Sequence, residues 1–124
     1  EVQTYSLYST RVIKSLGFDD SSENILIKVA NPISAETEYM RQNIWPNLVE
    51  VIDKNLRHGF NDIAIFEIGK IYQIKDDRIS ESYRLSIALM NGGDNPLVEL
   101  MAIFNNFCQD LGLKLVTKLP ELKP

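Results

Sequence analysis

One cysteine and one histidine are all that the 124 residues offer to a transition metal or an oxidising compartment. Cys108 alone cannot close an internal disulfide, and with His58 it cannot complete a four-ligand zinc site. No apolar run approaches the eighteen or so residues that a membrane-spanning helix needs. Glu1-Val2-Gln3-Thr4 has neither the basic nor the apolar segment of a signal peptide. The six glycines and five prolines are scattered, so no flexible linker divides the chain and no repeat is visible. Cations do not predominate either: 13 Lys and Arg stand against 17 Asp and Glu, a net charge of −4. The basic excess of a typical free-standing nucleic-acid binder is therefore missing. What is there is 44% hydrophobic and 24% charged, the balance of one soluble globular domain. The reading is a single domain over residues 1–124, cytoplasmic and metal-free by default.

Val2 to Tyr8 mixes Thr and Tyr with apolar residues and suits a half-buried strand. Thr10 is placed to cap a short helix carrying Val12, Ile13 and Leu16, with Gly17 as its stop. Asp19 to Asn24 is a polar loop, and Ile25 to Ala30 a β-branched strand ended by Asn31-Pro32. Ile44, Leu48, Val51, Ile52 and Leu56 recur at helical spacing and predict a helix from Ile44 to His58. Asn43 is its expected cap, Pro46 falls in its first turn and Gly59 stops it. Ile63 to Ile74 is a long strand, with Ile63, Ile65, Glu67, Gly69, Ile71 and Gln73 on one face. Tyr83 to Met90 returns as its antiparallel neighbour. A second long helix, Leu97 to Leu111, follows the turn at Asn91 to Pro96, and Leu113 to Lys118 alternates as a last strand. Adjacent strands interrupted by two long helices predict an α+β fold, an antiparallel sheet with the helices packed on one face.

Most chemically suggestive residues have a bland reading that suffices. His58 suits a helix C-terminus, where a cation meets the negative end of the dipole. Cys108 lies in the apolar stripe of the second long helix and reads as a packed thiol. Asn91-Gly-Gly-Asp-Asn-Pro96 lacks the spacing of a phosphate-binding loop and reads as a turn. Asp19-Asp20 and Asp76-Asp77 lack the alternating oxygen ligands of a calcium loop. Glu67 differs, because it is a carboxylate in the middle of an apolar strand. It must face water or meet a cation, for which Arg41 is the local candidate. An ion pair with Arg41 is the first reading and an active-site acid the second.

One combination of motifs carries more. Asn31-Pro-Ile-Ser-Ala-Glu36, Met40-Arg41, Pro46-Asn-Leu48, Asn55 and Phe66-Glu-Ile-Gly-Lys-Ile-Tyr72 together resemble the catalytic-like core of the β subunit of bacterial phenylalanine–tRNA ligase. Tyr5-Ser6 fits the same pattern. Asn31, Pro32, Ser34, Glu36, Arg41, Pro46, Asn55, Phe66, Glu67, Gly69 and Tyr72 are its signature positions here. Gln42 to Trp45 departs from the family's usual Thr or Ser and two leucines, and Asn47 replaces a common glycine. The Leu97–Leu111 helix lacks the usual Asp-Phe and Lys-Gly pattern. Leu119 to Pro124 stops where the family continues to a His-Pro-Gly segment, so a cut part or a diverged relative of a longer module is expected.

The resemblance implies a class II aminoacyl-tRNA synthetase-like fold that has lost its catalysis. In the family's catalytic α subunit the matching strand ends in an arginine that clamps the aminoacyl-adenylate. That place is Gln73 here, which is neutral and cannot hold developing charge as a bidentate cation does. No catalytic, cofactor-binding or metal-binding residue is therefore expected in this chain. ATP and Mg²⁺ would serve the whole enzyme elsewhere. The implied partners are the α subunit, the rest of the β subunit and, for the assembled heterotetramer, tRNA-Phe. The alternative is a stand-alone synthetase-like module that recognises RNA or a protein partner, and the acidic balance disfavours RNA.

Overall fold

The computed structural model describes residues 1–15, 17, 26–34 and 36–114. These divide into two compact units, Glu1–Gly92 and a second that begins at Gly93. In chain order the first holds β1 (Leu7–Tyr8), α1 (Thr10–Ser15), β2 (Tyr39–Met40), α2 (Trp45–Arg57), β3 (Ile63–Lys75) and β4 (Arg78–Met90). The second holds α3 (Pro96–Asp110).

The α+β expectation stands, but the described strands form two antiparallel two-stranded sheets rather than one. β1 pairs with β2, a strand that the sequence pattern did not reveal. β3 and β4 form a hairpin paired from Ile63↔Met90 to Lys75↔Arg78. Its turn is Asp76-Asp77, both with positive φ, +50° and +58°. Two consecutive left-handed residues match the right-handed twist of a hairpin, and Asp tolerates that region better than most residues. β4 therefore begins at Arg78, five residues before the expected Tyr83. The alternation expected of β3 is met: Ile63, Glu67, Gly69 and Ile71 are buried, while Ala64, Phe66 and Ile68 are exposed.

The caps differ from expectation in two places. Ser9, not Thr10, caps α1, its Oγ accepting from Val12 N at 3.1 Å. The Thr10 hydroxyl instead donates to Glu38 Oε2 at 2.6 Å. At α2 the cap position is Ile44, which makes no side-chain bond. Asn43 stands one residue before it, its backbone N–H donating to Tyr8 Oη at 2.9 Å. Pro46 sits in the first turn and Gly59 follows the helix with φ +86°. Residues 26–30 make only an isolated bridge, Lys28↔Tyr39, instead of a full strand. The Glu1–Tyr5 stretch is likewise outside any strand, although Val2 N donates to Phe66 O. Leu16, the acids of residues 19–24 and the strand expected over residues 115–118 lie outside the described residues.

α2 lies on the inner face of the hairpin. Ile44 and Leu48 pack with Ile71, and Val2, Ile65 and Ala88 close around them. Each such apolar side chain removed from water contributes about 1.5–3 kcal/mol, which makes this the main adhesive of the first unit. In the second unit Asn95 caps α3, its Oδ1 accepting from Val98 N, and Cys108 is buried.

Candidate functional site

The loop before α2 delivers Arg41 to the inner face of β3, where the hairpin has a gap. The gap is Gly69: a Cβ built there would collide with the Arg41 guanidinium. Arg41 Nη1 donates to Glu67 Oε1 at 2.9 Å, and both residues are only 2% exposed. Its Nε donates to Lys70 O at 2.9 Å. The Thr4 hydroxyl sits between the partners, accepting from Arg41 Nη1 at 3.0 Å and donating to Glu67 Oε2 at 2.7 Å. Ser86, directly across the hairpin from Glu67, is small enough to leave that face open.

The backbone of residue 41 belongs to the same junction. Its N–H donates to Ser6 O and its C=O accepts from Tyr72 N. Arg41 thus joins the N-terminal segment, the α2 loop and β3. The Arg41–Glu67 pairing read from the sequence is present, and every oxygen of the carboxylate has a donor. That satisfaction is what allows a buried charge to persist.

A second buried polar knot lies beside it. Tyr8, 1% exposed, donates its hydroxyl to Asn43 O and accepts from Asn43 N. Burial pushes this hydroxyl up from 10.0 to about 12. The unfolded chain then releases this proton first as pH rises. The stabilisation is complete below about pH 10 and is lost as pH climbs toward about 12, by about 1.4 kcal/mol per unit. Urea midpoints should therefore fall between about pH 9 and about pH 11 more steeply in the parent than in Tyr8→Phe. Equal slopes would remove Tyr8 from the account. At neutral pH Tyr8→Phe should cost about 1–3 kcal/mol, since Asn43 loses both partners.

Asn47, also buried, donates its Nδ2 to Tyr5 O at 3.3 Å and Leu7 O at 3.2 Å. It ties α2 to the segment leading into β1, and its Oδ1 has no partner among the described residues. Sequence reasoning marked this position only as a departure from the family's glycine. Thr4 and Tyr8 were missed altogether. A hydroxyl three residues from a strand end carries no spacing that announces a partner dozens of residues away.

The remaining signature positions do not converge. Asn31, Pro32, Ser34 and Glu36 are exposed on the loop between the Lys28 bridge and β2. Ser34 organises that loop, accepting from Glu36 N and Thr37 N. Asn55 caps its own helix turn through Val51 O, and Phe66 lies on the outer face of the hairpin. Pro46 is buried in the first turn of α2, while Tyr72 and Gln73 are half-buried. Gln73 shares the inner face with Glu67 and Gly69, opposite Ser80. Lys70 is on the other face, where its Nζ donates to Glu81 at 2.6 Å; that bond raises its pKa above the usual lysine value. His58 is exposed at the end of α2, its Nδ1 against Lys54 O. Among the described residues no three His, Cys, Asp or Glu side chains are grouped to hold a metal.

The junction is therefore a structural centre of an α+β domain, with a buried charge pair used to fix chain segments together. Comparison with known proteins places it further. The family described as the phenylalanyl tRNA synthetase beta chain CLM domain matches residues 1–118, and the chain belongs to this family. Among its relatives is a phenylalanine–tRNA ligase beta subunit of Ehrlichia ruminantium, 39% identical over 74 residues, 60% of this chain and 9% of the relative. The same-named protein of a Wolbachia from Brugia malayi is 38% identical over 76 residues, 61% of this chain and 9% of that protein. That of Anaplasma marginale is 37% identical over 95 residues, 77% of this chain and 11% of the relative. The chain thus spans about a tenth of the length of the curated relatives it matches.

Proposed function

We propose that this chain is a non-catalytic structural domain of the β subunit of a phenylalanine–tRNA ligase, built on a class II synthetase-like plan. In this reading it holds the catalytic α subunit, within a cytoplasmic heterotetramer that joins phenylalanine to tRNA-Phe using ATP and Mg²⁺. Membership of the β-chain domain family supports the reading.

The observation that carries the non-catalytic part is the inner face of β3. Adenylate formation needs a fixed cation where negative charge grows on the α-phosphate. The resemblance puts Gln73 at that place, an amide with no charge, and Lys70 is turned to the opposite face and engaged with Glu81. Arg41, the buried cation of the same face, is already held by Glu67, Thr4 and Lys70 O. The residues present do not fit a nucleotide clamp, and no step of the reaction is assigned to them.

The surfaces support a docking role. Trp45, Val49 and Leu56 stand 44%, 50% and 40% exposed on one side of α2. Phe66, Ile68 and Tyr83 are exposed on the outer face of the hairpin. Apolar groups gathered in this way mark interaction surfaces. The test is ATP–pyrophosphate exchange with phenylalanine, run on the chain alone and after co-expression with the α subunit. The chain alone should show no exchange and should co-purify with the α subunit. Exchange by the chain alone, abolished by substitutions within it, would refute a non-catalytic domain.

A further inference from the structure

α1 and α2 flank an open groove of about 350 Å³. Its floor is apolar, formed by Val12, Pro46 and Val49, and its rim is charged. Lys54 is neutralised by Glu50 at 3.7 Å and Arg57 by Asp53 at 2.8 Å, each along α2 itself. Arg11, on the α1 side, has no ion-pair partner among the described residues. The groove is thus locally positive on a chain whose net charge is −4.

We propose that this groove receives an amphipathic helix of a partner protein, with an apolar ridge on the Val12–Val49 floor and a carboxylate facing Arg11. Val49 also belongs to the α2 side invoked above for docking, but the groove is argued from its own shape and charge, and the peptide titration can fail without touching the exchange test of the ligase reading. Helix sides offer side-chain ridges and almost no free backbone groups, because those are spent inside each helix. An extended strand laid here would leave its own N–H and C=O groups unpaired, whereas a third helix brings its backbone already satisfied. The charge selects the occupant further. A single guanidinium without an ion-pair partner among the described residues suits one carboxylate, and one such cation is too few for the repeated phosphates of a nucleic acid.

Trp45, the single tryptophan, adjoins Pro46 at the groove and is 44% exposed, so its fluorescence reports occupancy. The whole chain would be titrated with a synthetic helical peptide carrying leucines at i, i+3 and i+7 and one glutamate between them. Saturable binding is expected. Arg11→Glu should weaken it by about tenfold or more, and a peptide with lysine in place of glutamate should recover binding to Arg11→Glu. Val49→Asp should abolish binding with the circular dichroism of the chain unchanged. Absence of saturable binding, or binding indifferent to Arg11→Glu, overturns the proposal. Tighter binding of a single-stranded RNA oligomer that Arg11→Glu abolishes would make the groove a phosphate site instead, and would overturn it too.

Discussion

Arg41→Met should lower the thermal midpoint by roughly 10–20 °C, or leave the first unit unfolded. The substitution keeps most of the apolar stem and removes the charge, so its main effect is on what the guanidinium held. Glu67 would remain 2% exposed with a negative charge and only the Thr4 hydroxyl as donor. Breaking one side of a buried pair in this way costs about 3–5 kcal/mol, several times the value of an exposed pair. Glu67→Gln should also destabilise, because Arg41 then keeps its bonds to Lys70 O and Thr4 but faces no countercharge. Combined, the two changes leave no unpaired buried ion, and the double variant should lose less than the sum of the singles. Calorimetry or urea unfolding of the four proteins checks this. Additive losses would mean that the two groups, although 2.9 Å apart, do not stabilise the fold through each other.

The same pair shows how far the sequence could be read. Glu67 was conspicuous because a charge between isoleucines in a strand demands an answer, and Arg41 was the nearest candidate with the reach. Strand alternation then put Gly69 beside them. Long periodic elements were legible for the same reason: α2 and β3 lie within a residue or so of their expected limits. The misses have different causes: a helix start displaced by one residue, a tertiary bond that overrode a local preference, a turn whose backbone the sequence did not reveal, and a strand too short to register. Asn43 would suit an N-cap, but α2 starts one residue later than that requires, with Ile44 at the cap position. Thr10 is drawn to Glu38, and Ser9 caps α1 in its stead. Asp76-Asp77 reads as the opening of a polar loop until both residues are seen to be left-handed, which closes the turn at once and lengthens β4. β2 is two residues long, too short for any period to register.

Gly69→Ala should be nearly as damaging as the loss of Arg41, for a reason unrelated to backbone freedom. Gly69 does not have a positive φ, so alanine can adopt its conformation. The obstacle is space: the new methyl would occupy the position of the Arg41 guanidinium and crowd Glu67 Oε1, 3.1 Å away. A long side chain can often swing clear of a methyl, but Arg41 is fixed by Lys70 O, Thr4 and Glu67 and has little room to yield. Either β3 shifts or the guanidinium leaves, and departure strands the Glu67 carboxylate. Overpacking alone costs about 1–3 kcal/mol, and the stranded charge adds to it. The discriminating measurement is the same glycine change made in Arg41→Met, whose flexible thioether leaves no guanidinium to collide with. There Gly69→Ala should cost less than about 1 kcal/mol, a residue of strand propensity and minor packing. Loss of equal size in both backgrounds would show that the requirement for glycine comes from something other than the arginine it faces.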